Sequence, residues 1–263
     1  MNTPSPLELT SFFNTLCDAA AKETLPRFRT KVTIDNKEVD GFDPVTEGDQ
    51  EAEKAIRKLI QEHYPNHGII GEEFGRHNEE ADLQWVIDPI DGTRAFISGL
   101  PVWGTLMGLY QDGKPIAGVM DQPFTGERFM AVDGQANLSC RGGESERLST
   151  SAVKSISNAT LLTTSPHIMQ TAANEAYFMV EQQSQLFRYG CDCYAYSMLA
   201  AGQVDLVIEA ELFIYDIAAL IPIIEAAGGV VTNWQGGSCA NGGQVLAAAN
   251  AELHEAAMKV LNG

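Results

Sequence analysis

The sequence predicts an α+β chain, helices layered on sheets, in two parts that meet near residues 135 to 150. Three observations predict it. In the first third, apolar residues recur at helical spacing: Leu9, Phe12, Phe13, Leu16 and Ala20 on one face, then Ala52, Ile56, Leu59, Ile60 and His63 on another. Between residues 101 and 140, apolar stretches are cut by Asp112-Gly113, by Pro123 to Gly126 and by Asp133-Gly134, the punctuation of an antiparallel meander. Beyond residue 140, strand and helix patterns mix.

In chain order, a first helix carries the Leu9 face, and a second begins near Thr46, which with Asp49 forms a capping pair. Short strands follow around His67–Ile70 and Gln84–Ile87, then the meander. The later strands are Ala159–Thr163, Val204–Glu209 and Val245–Ala249. The later helices are Ala172–Gln182, Cys193–Ala201, Asp216–Ala227 and Ala251–Leu261, the third stopped by Gly228-Gly229. The expected division is residues 1–140, with the acidic motifs and the meander, and 141–263, completing the site and its pocket. Trp85 and Trp103 read as core, and His167 and His254 as surface or packing residues.

The 263 residues, 44% hydrophobic and 20% charged, have a globular composition. A formal charge of −18 argues against nucleic acid or an anionic membrane as partner. It suits a protein that collects cations, solubility alone being the plainer reading. No apolar stretch is long enough to span a bilayer, and no basic residue precedes Lys22, so neither a span nor a signal peptide is expected. Five cysteines, an odd number, read as reduced thiols of a cytoplasmic protein. Cys191 and Cys193 lack a second close cysteine pair, so they do not read as a zinc site.

The run WVIDPIDGTRAFISG sets Asp88 and Asp91 three residues apart, just past the apolar Val86-Ile87. Carboxylates at the carboxyl edge of a sheet sit where ligands bind in helix-flanked sheets. Two so close force one to protonate unless a cation lies between them, and oxygen donors select magnesium, calcium or manganese. The other reading makes Asp91 a helix cap and leaves Asp88 solvated. Three further acidic stretches end apolar elements: Glu72-Glu73 after Ile69-Ile70, Asp43 before a helix start, and Asp216 at the head of a helix. Together they read as one cluster.

The set GEE (71–73), DPIDGT (88–93) and YDIAAL…EAAGG (215–229) resembles the inositol monophosphatase family of magnesium-dependent phosphatases, over nearly the whole chain. The third motif departs modestly: the family usually has Trp before the Asp and Gly soon after, where this chain has Tyr215 and Ala219-Leu220. The resemblance implies a layered αβαβα sandwich, as in fructose-1,6-bisphosphatases, two to three magnesium ions per active site and a homodimer. It implies Glu72, Asp88, the Ile90 carbonyl, Asp91 and Asp216 as magnesium ligands, Asp88 bridging two ions. The Gly92 and Thr93 N–H groups would hold phosphate, Asp43 and Thr93 would orient and help deprotonate the attacking water, and Glu72 would be catalytic as well. No covalent phosphoenzyme is required, and no CX5R-like cysteine motif is present.

Within the family, RAFISGLPVWGTLMGL (94–109) and RYGCDCYAYSMLAAGQVDLVIEA (188–210) resemble the histidinol-phosphate phosphatase branch. Counted back from Asp216, Asp192 stands where inositol enzymes hold a small residue beside the sugar, and Glu209 where an acid meets substrate hydroxyls. Histidinol phosphate carries an ammonium and an imidazole that is partly cationic near neutral pH, and both would pair with these acids. A neutral sugar would leave the Asp192 charge costly to desolvate. The alternative for Asp192 is an N-cap of the following helix. Arg94 reads as a phosphate contact or as the partner of a nearby acid. The expected substrate surroundings are therefore Glu72, Ile90, Asp91, Gly92, Thr93, Arg94, Asp192, Glu209 and Asp216. The rival expectations are another small phosphate ester, such as inositol 1-phosphate or a sugar or nucleotide phosphate, and an acidic metal-binding module without enzymatic activity.

Overall fold

The structure is a computed structural model that describes residues 3–31, 34–36, 44–140 and 143–263. It begins with α1 (Pro6–Thr24), whose N-cap Ser5 and Glu8 form a capping box. A short antiparallel pair, β1 (Ile34–Asn36) and β2 (Pro44–Thr46), leads into α2 (Glu47–His63). Thr46 and Asp49 do form a reciprocal cap: the Thr46 N–H donates to Asp49 Oδ2 at 2.8 Å, and the Thr46 hydroxyl accepts from the Gly48 N–H at 3.1 Å. Leu9, Phe13, Leu16, Ala52, Ile56 and Ile60 are buried as their spacing requires, whereas His63 is exposed beside the Phe12 ring.

Eight strands form the larger sheet: β3 (Gly68–Gly71), β4 (Gly75–His77), β5 (Leu83–Asp91), then, after the short α3 (Thr93–Ile97), β6 (Gly104–Gln111), β7 (Lys114–Gln122), β8 (Glu127–Val132), β9 (Gln135–Cys140) and β10 (Ser145–Arg147). Their order is β10-β9-β8-β7-β6-β5-β3-β4, with only β3 and β5 parallel. The meander turns at Asp112-Gly113 and Asp133-Gly134 have positive φ at both residues, the type I′ geometry that suits strand twist.

The smaller sheet comes from the second half. Its strands are β11 (Thr160–Thr163), β12 (Leu186–Tyr189), β13 (Leu206–Leu212), β14 (Val230–Thr232) and β15 (Gly243–Ala248), ordered β12-β11-β13-β15-β14. The helices are α4 (Thr171–Glu181), α5 (Asp192–Ala200), α6 (Ile214–Ile217), α7 (Leu220–Ala226) and α8 (Ala251–Asn262). The single helix expected over 216–227 is thus two, parted at Ala218-Ala219. Pro222 has no N–H to continue the ladder back to residue 218 and sits in the first turn of α7, where a proline is tolerated.

Residue alternation assigns the layers. On β5, Trp85 and Ile87 pack toward α1 and α2, while Val86 faces α5 and α7. On β13, Val207 faces that same central helix layer, while Leu206 and Ile208 pack with α4 and α8 on the outer face. The result is an αβαβα sandwich, and its central layer is where acids from both sheets can converge. Among the described residues, no helix is long and apolar enough to cross a membrane.

Candidate active site

β5 runs through the DPID segment instead of ending before it. In a regular strand, residues three apart face opposite sides. Here Asp88 pairs with Leu106 and Asp91 with Gly104, three steps on β5 against two on β6. That one-residue bulge cancels the half-period and brings both carboxylates to the central layer. Pro89, which has no N–H to give a ladder, occupies the bulge, and its carbonyl accepts from the Thr105 hydroxyl at 2.8 Å. Inside the turn the Ile90 N–H donates to Asp88 Oδ1 at 3.0 Å, and the Ile90 side chain is anchored among Phe28, Phe96 and Trp103.

Asp216 enters from α6, where its Oδ2 also accepts from the Phe213 N–H at 2.7 Å. One carboxylate oxygen from each of Asp88, Asp91 and Asp216 lies within 4.8 Å of the others. Glu72, from the end of β3, lines the same cleft of about 370 Å³. Burial, reinforced by the charges of Glu72, Asp91 and Asp216, pushes the Asp88 carboxyl well up. Burial raises Asp91 to about 6 against the opposing Cys193 N–H bond at 2.7 Å, and burial with Asp91 raises Asp216. Crowded like charges in a set of oxygen donors are what a hard divalent cation relieves, so these residues fit magnesium, calcium or manganese.

Gly92, at the head of α3, has φ of +82°, and a Cβ there would meet Asp192 Oδ2 at 3.2 Å. Only glycine combines that backbone with so close a neighbour. Asp192 itself has φ of +44° and is the first residue of α5, whose N-cap is Cys191 with no side-chain cap bond. The N-cap alternative for Asp192 is thereby corrected: its carboxyl turns to the cleft. Burial, together with the Asp91 charge, raises it to about 7, against the opposing Arg94 charge and a bond from the Thr164 side chain. Arg94 and Thr93 line the same wall.

Glu209 does not line this cleft. It is 1% exposed, one layer behind, beside a void of about 20 Å³ shared with Asp91 and Asp192. Its oxygens accept from the Thr163 hydroxyl at 3.0 Å and the Thr164 N–H at 2.6 Å, while burial raises it to about 8. Two residues on, a register irregularity in β13 and a φ of +66° turn Glu211 into the cleft, where it also accepts from the Gln170 N–H at 3.1 Å. Sequence reasoning missed Glu211, because only the bulge reveals which of the two glutamates faces the opening. Ile168 and the stacked rings of Phe213 and Tyr215, centroids 5.3 Å apart, complete an apolar rim.

Asp43 lies outside the described residues. Among the described residues, the acid that meets Thr93 is Asp49, whose Oδ1 is 3.5 Å from the Thr93 hydroxyl; that hydroxyl is also 3.1 Å from the Ile90 carbonyl oxygen. Asp49 is fully buried, and burial raises it to about 6 despite its bonds from Thr46. Its signal in the sequence is the capping pair, which speaks only of the helix start.

Residues 6–262 match the model of the inositol monophosphatase family. A bifunctional phosphatase of Arabidopsis thaliana, IMPL2, described as chloroplastic, is 42% identical, with 94% of this chain and 73% of that protein covered. A histidinol-phosphatase of Mycobacterium tuberculosis is 33% identical over 94% of this chain and 95% of its own. Among solved structures, an inositol monophosphatase from Zymomonas mobilis superposes with a TM-score of 0.88 at 35% identity, covering 99% of this chain and 100% of that one. With the motifs, the αβαβα layers and the gathered carboxylates, these matches show that the chain belongs to the inositol monophosphatase family.

Proposed function

We propose that this phosphatase hydrolyses L-histidinol phosphate to L-histidinol and phosphate, with magnesium as the cation and a homodimer as the assembly. The observation that carries the reading is a single cleft with Asp88, Asp91 and Asp216 at its floor and Asp192 and Glu211 on its wall. The floor suits a phosphate bridged to cations. The wall suits an organic group that is itself cationic, and the Ile168, Phe213 and Tyr215 rim suits a flat imidazole. The names of the histidinol-phosphatase relatives support the same substrate.

In this reading Glu72, Asp88, Asp91 and Asp216, with the Ile90 carbonyl, hold the cations. When bound, the cations neutralise the phosphate and lower the pKa of the attacking water. The Thr93 hydroxyl and the Asp49 carboxylate orient that water, and Asp49, with its pKa near 6, accepts its proton. The Gly92 and Thr93 N–H groups, at the start of a helix and free of intrahelical partners, receive phosphate oxygens. Asp192 pairs with the ester's ammonium or imidazolium while Arg94 limits the repulsion among the acids. Glu209 tunes the pocket from behind through Thr164.

The test is phosphate release from a panel of monoesters, with magnesium and with a chelator, in the parent and in Asp192→Ala. L-histidinol phosphate turning over best, only with magnesium, and Asp192→Ala raising its KM more than that of a neutral ester, is the expected result. A wide preference for inositol 1-phosphate would refute the substrate, and release unaffected by the chelator would refute the cation chemistry.

A further inference from the structure

One turn along α2 from Asp49 stands a second fully buried acid, Glu53, both at 0% exposure. Charged side chains are almost never fully buried without partners, and the partners of Glu53 are specific. Its Oε2 accepts from the Glu73 N–H at 2.8 Å, and its Oε1 accepts from the Phe74 N–H at 3.2 Å and from Arg57 Nε at 2.6 Å. Arg57, one further turn along, donates to the Gly75 carbonyl. The i, i+4 spacing sets both side chains on one helix face, and that face clasps the turn between β3 and β4. The approach is so close that a Cβ on Gly71 would lie 2.0 Å from Glu53 Oε1 and 2.7 Å from Arg57 Nη2.

That turn carries Glu72. On one side, the Glu72 N–H donates to the Ile87 carbonyl of β5 at 3.2 Å, directly before Asp88. On the other, the residues that follow it hang from α2. The geometry points to Glu53 and Arg57 as the positioning pair for Glu72, fixing where its carboxylate stands relative to Asp88 and so how tightly the site holds its cation. The inference rests on the proposed role of Glu72 as a ligand. α2 then governs both halves of the site, through Asp49 to Thr93 and through Glu53 to Glu72.

Glu53→Gln tests it. The substitution keeps the shape, but the amide presents a donor to one of the two N–H groups and leaves Arg57 without its anion. Magnesium binding is measured by calorimetry in the absence of any ester, beside magnesium-titrated phosphate release and thermal melting. The expected result is a magnesium affinity weakened about 10- to 100-fold, the usual effect of removing a partner that orients a ligand, with the ester KM at saturating magnesium unchanged. Arg57→Gln should move affinity in the same direction and serves if Glu53→Gln does not fold. Parent-like affinity in a folded variant, with only the melting temperature lowered, would overturn the inference, as would failure of both variants to fold. A parent protein that binds no magnesium would instead overturn the proposed function.

Discussion

Asp88 and Asp91 share one side of β5 because a single extra residue offsets the alternation of the strand, and the chemistry assigned to them depends on that offset. Asp91→Asn is expected to lower turnover by about 100-fold or more, beyond the ~10- to 100-fold typical of outer partners of a ligand. The cation-free fold should survive: the amide oxygen can still accept from the Cys193 N–H, and a crowded charge is removed. Phosphate release and a melting curve with chelator check both halves, and parent-level turnover would remove Asp91 from the cation site. The floor of the site was legible in the sequence because Asp88, Asp91 and Asp216 each interrupt an apolar run, where a buried carboxylate needs a partner, although β5 continues through Asp88 to Asp91. Asp49 was only half legible, since its capping role accounts for one of its oxygens, and nothing local says where the other points. Glu209 and Glu211 could not be told apart, because a bulge reverses which side chain faces out.

Thr46 caps helix α2, and the cap reaches the proposed site. Asp49 Oδ2 accepts from the Thr46 hydroxyl at 2.6 Å, and its Oδ1 faces Thr93, so the cap sets the register of the proposed base. Thr46→Ala should cost about 1 kcal/mol of stability, the usual value of such a cap, and should lower kcat with little change in KM. Urea unfolding and steady-state kinetics test this, and an unchanged kcat would separate the cap from the chemistry. At this scale the periodic elements were the most readable: α1, α2, α8 and the meander follow from spacing and turn residues. The less readable ones have physical reasons. β12 is exposed along its whole length and shows no alternation of burial, while the break between α6 and α7 turns on one missing N–H, at Pro222.

Across the whole molecule, the two sheets deliver acids to one central layer of a chain that already carries a formal charge of −18. Asp49, Asp192 and Glu209, raised chiefly by burial to about 6, about 7 and about 8, hold protons in the fold that the unfolded chain releases near the ordinary carboxylate values. Unfolding therefore releases protons in that window, and the cation-free protein should lose stability as pH rises from about 5 to about 8. His67 and His254, which burial lowers, oppose this slope, two groups against a larger set of raised acids that also includes Asp88, Asp91 and Asp216, while the lowered carboxylates Glu8, Glu51 and Glu255 titrate below the window. Urea midpoints measured with chelator check the trend, and magnesium should restore stability most at the alkaline end. A midpoint that rose with pH would contradict it. The layered architecture was legible from the order of patterns, whereas the meeting of distant acids was legible only as a motif set, since no local pattern encodes a contact between strands so far apart in the chain. The most direct measurement is anomalous diffraction from crystals soaked in manganese, which takes the same oxygen donors. A peak among Asp88, Asp91 and Asp216, with Glu72 beside it, is the expected result, and manganese bound elsewhere with that position empty would contradict the account.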